Sequence, residues 1–155
     1  QQSDFKLWLP FHKDPSSTEY WPDDNPNPKA ACKKWFNTVF YRYKNHLGGM
    51  NALIDKSTNE FVGQCGLLIQ QVDHIQELEI GYSMLHAYRN KGFATEAARK
   101  CRSFAFEKNL ASSLISIIPI DNKPSQNVAT KNGMSFDKTT LYKDIHIHIY
   151  RVISQ

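Results

Sequence analysis

EIGYSMLHAYRNKGFATEA, which spans residues 79–97, is the stretch of sequence that decides the fold. Its first part belongs to an apolar, β-leaning run from about Leu78 to Leu85. From Gly92 to Asn109, alanine and larger apolar residues recur at helical spacing among good helix formers. The stretch therefore predicts a strand that passes through a short turn directly into a long helix.

The turn between this strand and this helix has the residues of an anion-binding site. A helix N-terminus presents unpaired backbone N–H groups and the positive end of the helix dipole. Arg89 and Lys91 add two positive charges, while Gly92 permits a close approach of the backbone to a ligand. The same residues also fit an ordinary turn with solvated side chains, because strand–glycine–helix junctions are common in α/β proteins. The turn alone gives these two interpretations equal weight.

The rest of the chain surrounds this unit with helices and antiparallel strands. Helical segments are predicted at 5–13, 29–43 and 125–132, and strands at 50–55, 60–68, 114–118, 136–141 and 145–153. The proline-rich stretch 15–28 is predicted to be a loop, and Gly48-Gly49 to end the second helix. This order predicts one domain over residues 1–155, an α/β (α+β) fold with a sheet of mixed direction.

Composition sets limits on the class of protein. The chain has 19 basic and 15 acidic residues, which are scattered and form none of the dense blocks of nucleic-acid tails. No apolar run approaches the roughly 20 residues that span a bilayer. The three cysteines are widely spaced, so neither a disulfide framework nor a Cys-x-x-Cys metal site is indicated. We expect a soluble, cytoplasmic protein whose numbering starts inside a longer natural chain, because Gln1 is not an initiating Met.

Known phosphate-binding motifs narrow the interpretation of the turn. The chain has neither the G-x-x-x-x-G-K-[ST] motif of nucleotide P-loops nor the G-x-G-x-x-G motif of dinucleotide folds. Residues 89–94 instead resemble the pyrophosphate loop of the GNAT acetyltransferase superfamily, [QR]-x-x-G-x-[GA]. Residues 79–82, 92–97, 122–125 and 131–136 resemble the branch that contains the ribosomal-protein alanine N-acetyltransferases, in the same order and spacing. The stretch 14–21 is also similar to that branch.

The resemblance implies a fold, an activity and a partner. The fold is a mostly antiparallel sheet in which two strands splay apart to form the acetyl-CoA cleft. The family's opening strand is either missing or cut off before Gln1. The activity is transfer of an acetyl group from acetyl-CoA to a primary amine by direct attack, without a metal. The acceptor is a protein N-terminus or a small amine, and neither nucleic acid nor membrane is expected as a partner of this monomer or homodimer. The implied cofactor contacts are Ser83, Met84, Leu85, Arg89, Asn90, Lys91, Gly92, Phe93, Ala94, Thr95 and Asn122.

The resemblance also implies catalytic residues, each with an alternative. Glu79 lies where several relatives have a base, and Glu77 is the second candidate because it shares the same face of the strand. Alternatively, Glu79 is a surface carboxylate paired with a cross-strand cation. The family's usual tyrosine, which donates a proton to the leaving thiolate, is replaced by Ala129, so Ser125 is the substitute donor or only a helix cap.

Several other residues have two open interpretations. A backbone N–H near Leu85 would polarise the thioester carbonyl, unless this is an ordinary paired strand. Asn122 would bond the pantetheine amide or stabilise its own turn. Tyr20 and Trp21 would line the amine pocket or only anchor the loop. Three features favour the structural interpretation: Cys101 as a core residue, and His146 and His148 as an exposed strand face.

Two other functions stay open at this point. The missing tyrosine would fit a catalytically weak module that binds coenzyme A for sensing or assembly. The basic turn would also fit binding of RNA or another polyanion.

Overall fold

The computed structural model describes residues 1–20 and 27–154 as a mixed α/β fold. The helices are α1 (Phe5–Lys13), α2 (Pro15–Thr18), α3 (Pro28–Lys44), α4 (Phe93–Glu107) and α5 (Lys123–Lys131). The strands are β1 (Gly48–Ile54), β2 (Phe61–Val72), β3 (Ile75–Met84), β4 (Ser113–Pro119), β5 (Ser135–Tyr142) and β6 (Ile145–Ile153). Short 3₁₀ turns lie at Gln2–Asp4 and His86–Tyr88.

All six strands form one sheet, in the order β1-β2-β3-β4-β6-β5. Every neighbouring pair is antiparallel except β3 and β4, which are parallel. The fold class predicted from the sequence, a mostly antiparallel sheet of mixed direction flanked by helices, is therefore confirmed. None of the helices in residues 1–20 and 27–154 combines the length and the apolarity that crossing a bilayer requires.

The parallel pair β3–β4 separates soon after it forms. Its register contains the single pair Glu79–Ile115, whereas β3 stays paired with β2 as far as Met84, opposite Gly63. Beyond Glu79, β3 therefore leaves β4 and opens a gap inside the sheet. We call this gap, between residues 80–84 of β3 and 116–119 of β4, the β3–β4 cleft.

Two apolar layers cover the two faces of the sheet. On one face, α4 packs through Ala98 and Ala105 against Cys65, Ile80 and Leu114. On the other face, α1 and α3 pack around a second cluster that contains Trp8, Cys32, Phe36 and Phe61. The register of β1 with β2 shifts between Leu53 and Ile54, and this bulge turns Phe61 toward Trp8, at a ring centroid distance of 5.9 Å.

Two sequence predictions about the N-terminal half are wrong. The predicted loop begins with a helical turn, α2, because Asp14 caps it by accepting the N–H of Ser16 at 3.0 Å and Pro15 suits its first position. Helix α3 ends at Lys44, so Gly48 and Gly49 open β1 instead of ending the helix. A Cβ on Gly48 would lie 2.2 Å from the carbonyl oxygen of Leu67, so close packing against β2 requires the glycine.

Candidate active site

The loop after β3 presents free backbone donors at the start of α4. Gly92 is the N-cap of α4, with φ +91°, and no side chain caps this helix. The first N–H to pair inside the helix belongs to Glu96, which donates to the Gly92 carbonyl at 3.0 Å. The N–H groups of Phe93, Ala94 and Thr95 therefore have no intrahelical acceptor. A Cβ on Gly92 would meet nothing within 4 Å, so the space next to this backbone is open for an anionic ligand.

The two basic side chains of the loop point in different directions. The Nζ atom of Lys91 lies 5.3 Å from the ring centroid of Tyr88, on the exposed surface of the loop. Arg89 instead reaches back to α2, where its Nη1 donates to the Ser16 hydroxyl at 2.8 Å and its Nη2 donates to the Ser17 hydroxyl. The charge of Lys91 therefore stays at the exposed surface of the loop, over the Tyr88 ring, while the charge of Arg89 is engaged by α2.

Main-chain groups of β3 face the cleft in alternation. The carbonyl of Ile80 accepts the Ser116 hydroxyl at 2.9 Å, so this carbonyl is turned toward β4. By strand alternation, the main chains of Tyr82 and Met84 also face the cleft. The N–H of Leu85 is turned the other way and donates to the Val62 carbonyl at 3.1 Å. Of the cofactor contacts predicted at residues 83–85, Met84 offers its main chain to the cleft, while the main chains of Ser83 and Leu85 face β2.

Glu79 lies at the closed end of the cleft, where the last β3–β4 pair forms. Its Oε2 accepts the Gln70 side-chain amide at 2.6 Å, and its carboxyl also accepts the backbone N–H of Ile117. In a continued parallel ladder this N–H would bond a β3 carbonyl, so Glu79 replaces the partner that the divergence removes. Although part of the residue is exposed, its carboxyl group lies deep among neighbouring atoms. This burial raises the pKa of Glu79 above its ordinary value, against the opposing effect of the two hydrogen bonds.

Glu77 shares the strand face of Glu79 but is engaged in an ion pair. Arg151 of β6 holds its carboxylate through two bonds, at 2.7 and 3.1 Å. The same guanidinium also donates to Asp137 at 2.9 Å. The pairing with a cross-strand cation that the sequence left open for Glu79 thus belongs to Glu77.

The start of α5 forms the opposite side of the cleft. Asn122 caps this helix, because its Oδ1 accepts the N–H of Ser125 at 3.1 Å. The Ser125 hydroxyl has no hydrogen-bond partner in the part of the chain that the structure describes, so Ser125 is not the cap. Ala129 is fully buried against Ile118 and Met134 and does not face the cleft.

Tyr82 is a cleft residue that the sequence reasoning missed. Its hydroxyl crosses to α5 and donates to the Ser125 carbonyl at 2.7 Å. Burial raises the pKa of Tyr82, so the phenol keeps its proton at neutral pH. Its place two residues after Ile80, on the apolar face of a strand that ends at the cleft, was the available signal.

The N-terminal segment reaches the mouth of the cleft through Tyr20. A hydrogen bond with Glu19 raises the pKa of Tyr20, and the charges of Asp121 and Arg89 also act on its hydroxyl. Asp121 precedes α5 and Arg89 belongs to the loop before α4, so charges on both sides of the mouth act on Tyr20. The other predicted pocket residue, Trp21, is outside the described residues.

The remaining candidates have the structural roles that the sequence favoured. His146 is exposed and His148 bonds the Thr139 hydroxyl at 2.9 Å, on the face opposite the buried Ile147 and Ile149. Cys101 packs against the α4 core cluster. Across residues 1–20 and 27–154, no group of three His, Cys, Asp or Glu side chains is arranged to hold a metal ion.

Comparison with known proteins assigns the chain to a family. The family model of the acetyltransferase (GNAT) domain matches residues 1–135. The chain is 36% identical over 114 residues to the uncharacterized protein YkkB of Bacillus subtilis strain 168, an alignment that covers 72% of this chain and 64% of YkkB. The chain thus spans less than two thirds of this relative's length.

Solved structures share the fold over nearly the whole chain. An acetyltransferase from Agrobacterium tumefaciens strain C58 superposes with a TM-score of 0.80 at 25% identity, over 98% of this chain and 86% of that one. The ribosomal L7/L12 alpha-N-protein acetyltransferase in complex with coenzyme A superposes with a TM-score of 0.77, over 99% of this chain and 90% of that one. At 13% identity the second likeness shows the fold alone. The family match and the shared fold together establish that the chain belongs to the GNAT acetyltransferase family.

Proposed function

We propose that this protein is an N-acetyltransferase that moves an acetyl group from acetyl-CoA to a primary amine by direct attack. The observation that carries the proposal is the β3–β4 cleft, which joins free helix-start donors at one end to the enclosed carboxyl of Glu79 at the other. A site with an anion-binding end and a proton-accepting end fits a diphosphate-bearing thioester and its amine partner.

The loop is proposed to hold coenzyme A mainly through its main chain. The N–H groups of Phe93, Ala94 and Thr95 have no intrahelical acceptor, the space beside Gly92 is open, and the nearby Lys91 is proposed to neutralise the diphosphate. The pantetheine arm carries amide groups, which match the main chain of Tyr82 and the N–H of Met84, both of which face the cleft without a strand partner. Asn122 uses its Oδ1 as a helix cap, which leaves its side-chain N–H₂ as a further donor to the arm.

Glu79 is proposed to accept the proton of the attacking amine. The amine nitrogen forms a bond to the thioester carbonyl carbon, the C–S bond breaks, and the nitrogen loses a proton. Alkyl ammonium groups have a pKa near 10, so a nearby base raises the fraction of neutral amine. A carboxylate with a raised pKa is a stronger base than an ordinary one. The Ser125 hydroxyl, which has no protein partner among the described residues, is proposed to donate to the leaving thiolate.

The acceptor is proposed to enter between Tyr20 and the start of α5, with Trp21 as a further pocket residue. A protein N-terminus and a small amine both remain candidates. We expect the enzyme to act in the cytoplasm, as a monomer or homodimer, on neither nucleic acid nor membrane.

The test is turnover with a defined panel of amines. The full chain is incubated with acetyl-CoA and, separately, with peptides that begin with alanine or serine, with lysine, with spermidine and with glucosamine. Free thiol release is followed, and mass spectrometry identifies the acetylated product. Thiol release that depends on one of these amines supports the proposal.

A second candidate is a module that binds coenzyme A without efficient catalysis. Two observations favour it: by the family resemblance Ala129 replaces the tyrosine that would donate a proton, and the Leu85 N–H is used within the sheet. Coenzyme A binding measured by calorimetry, together with no turnover for any member of the panel, would support the module and contradict the transferase.

A further inference from the structure

The side chain of Arg89 joins the loop before α4 to a segment more than seventy positions earlier in the chain. Its Nη1 bonds the Ser16 hydroxyl at 2.8 Å, its Nη2 bonds the Ser17 hydroxyl, and Nη2 lies 3.5 Å from the Asp14 carboxylate. Its Nε donates to the carbonyl of Met84, the last residue of β3, at 3.4 Å. One guanidinium therefore ties the end of β3, the loop and α2 together.

Asp14, Ser16 and Ser17, at the start of α2, together bind this guanidinium. The Ser16 and Ser17 hydroxyls both donate to the Asp14 carboxylate, at 2.8 and 2.9 Å. Although burial opposes it, these bonds and the charge of Arg89 hold the pKa of Asp14 below its ordinary value. Asp14 thus stays ionised, and both hydroxyls direct their oxygens to Arg89. His86, which is 73% exposed, lies 3.3 Å from the same carboxylate.

Helix α2 depends on these bonds for its position. It is a single turn of four residues, and an isolated turn of this length is unstable in water. It leads directly to Tyr20, whose hydroxyl lies within the electrostatic influence of Arg89. Any displacement of Arg89 would therefore move the segment that lines the acceptor side of the cleft mouth.

We propose that Arg89 is a positioning residue that couples the cofactor loop to residues 14–20, so that its side chain governs acceptor binding while the loop's main chain and Lys91 govern coenzyme A binding. This inference rests on the proposed function of the loop. Transfer of the guanidinium to a diphosphate would leave the Asp14 carboxylate without its cation and α2 without its anchor. The two basic residues of one loop thus have separate tasks.

The experiment compares Arg89→Gln with Lys91→Gln, which removes the same charge two residues away but has no contact with α2. Asp14→Asn is the second route to the same bond, because asparagine keeps the cap of α2 and removes the charge. Three quantities are measured on the full chain: the Kd of coenzyme A by calorimetry, the KM and kcat for the best amine of the panel, and hydrogen exchange at the amides of residues 14–20.

Arg89→Gln is expected to raise the acceptor KM by about tenfold or more and to change the Kd of coenzyme A by less than about threefold. Lys91→Gln is expected to do the reverse. Asp14→Asn should raise the acceptor KM as well, and the Arg89→Gln/Asp14→Asn double variant should be no worse than Arg89→Gln alone. Arg89→Lys should restore part of the acceptor affinity, since lysine keeps the positive charge but lacks the planar set of N–H donors of the guanidinium.

Hydrogen exchange keeps this inference separate from the proposed function. In the wild type, coenzyme A should slow exchange at residues 14–20, and Arg89→Gln should abolish this slowing while Lys91→Gln at saturating coenzyme A should retain it. That comparison needs no turnover, so it stands even if no amine is acetylated. A tenfold weaker coenzyme A affinity in Arg89→Gln, with unchanged acceptor KM and unchanged exchange, would overturn the inference.

Discussion

Replacing Glu79 with glutamine separates the two roles of this residue, as a proposed base and as the partner of the diverging strands. The wild-type carboxylate receives two donors, the Gln70 amide at 2.6 Å and the Ile117 N–H. Glutamine offers one carbonyl oxygen and one N–H₂ group, so one of these donors loses its acceptor. An enclosed donor without a partner costs about 1–3 kcal/mol, so Glu79→Gln should lower the unfolding free energy by about this amount.

The pH dependence of this loss has a definite sign. Because the pKa of Glu79 is raised in the folded state above its ordinary value of 4.5, the fold favours the protonated carboxyl. The wild type therefore loses stability as pH rises from that ordinary value through the raised one, while the glutamine variant has no such loss. The difference in unfolding free energy between the two proteins should be largest in acid and smaller at neutral pH, as measured by urea unfolding.

The catalytic deficit of Glu79→Gln should also depend on pH. Removal of a general base lowers rates by about a hundredfold to ten-thousandfold, so kcat/KM at pH 7 should fall by this range. Without a base, the reaction needs an amine that is already neutral, and its rate should rise about tenfold per pH unit up to the pKa of the amine. The deficit of Glu79→Gln is thus greatest at low pH.

Glu77→Gln is the matched control, since it makes the same change on the same strand face. It breaks the ion pair with Arg151 and should lower stability, but leave kcat/KM within about threefold of the wild type. The assignment of Glu79 as the base would be refuted if Glu79→Gln kept kcat/KM within threefold of the wild type and if its kcat/KM fell with decreasing pH as the wild type's does.

Three other substitutions test the remaining parts of the cleft. Gly92→Glu should raise the Kd of coenzyme A at least about a hundredfold in calorimetry, since it adds a carboxylate beside the free N–H groups. Gly92→Ala carries the same backbone strain at φ +91° without the charge and should raise the Kd far less. Equal effects of the two variants would contradict the assignment of the loop as the coenzyme A site. Tyr82→Phe removes the donor to the Ser125 carbonyl and should lower the unfolding free energy by about 1 kcal/mol, or Tm by about 2–4 °C, in thermal unfolding, whereas an unchanged Tm would contradict this bond. Ser125→Ala should leave Tm unchanged because the hydroxyl has no protein partner among the described residues, yet lower kcat about tenfold to a hundredfold; an unchanged kcat would exclude Ser125 as the proton donor.

Local patterns predicted the elements that local physics determines. Helix α4 was expected from Gly92 to Asn109 and spans Phe93–Glu107, because its small and apolar residues recur at helical spacing and Gly92 adopts a positive φ at its start. Strand alternation likewise placed Glu77 and Glu79 on one face, which the register with β2 confirms.

Features that depend on distant partners were not predictable in the same way. Helix α2 is one turn held by Arg89 across more than seventy residues, so its own proline-rich composition indicated only a loop. The partners of the two glutamates also come from other strands: Arg151 of β6 binds Glu77, and Gln70 of β2 binds Glu79. The bulge that turns Phe61 toward Trp8 likewise exists only in the pairing of β1 with β2.

The divergence of β3 from β4 explains why the site lies where it does. A parallel pair that separates inside a sheet leaves main-chain groups without strand partners. Each buried N–H or C=O group without a hydrogen bond lowers the free energy of unfolding by about 1–3 kcal/mol. Near the closed end, side chains replace the lost partners: Glu79 accepts the Ile117 N–H and Ser116 donates to the Ile80 carbonyl. Farther along, Arg89 donates to the Met84 carbonyl, but among the described residues no side chain bonds the Met84 N–H or the main chain of Tyr82. The sheet is therefore complete only when a chain with its own amide groups enters the cleft, and this requirement favours a pantetheine arm over a compact polyanion as the ligand.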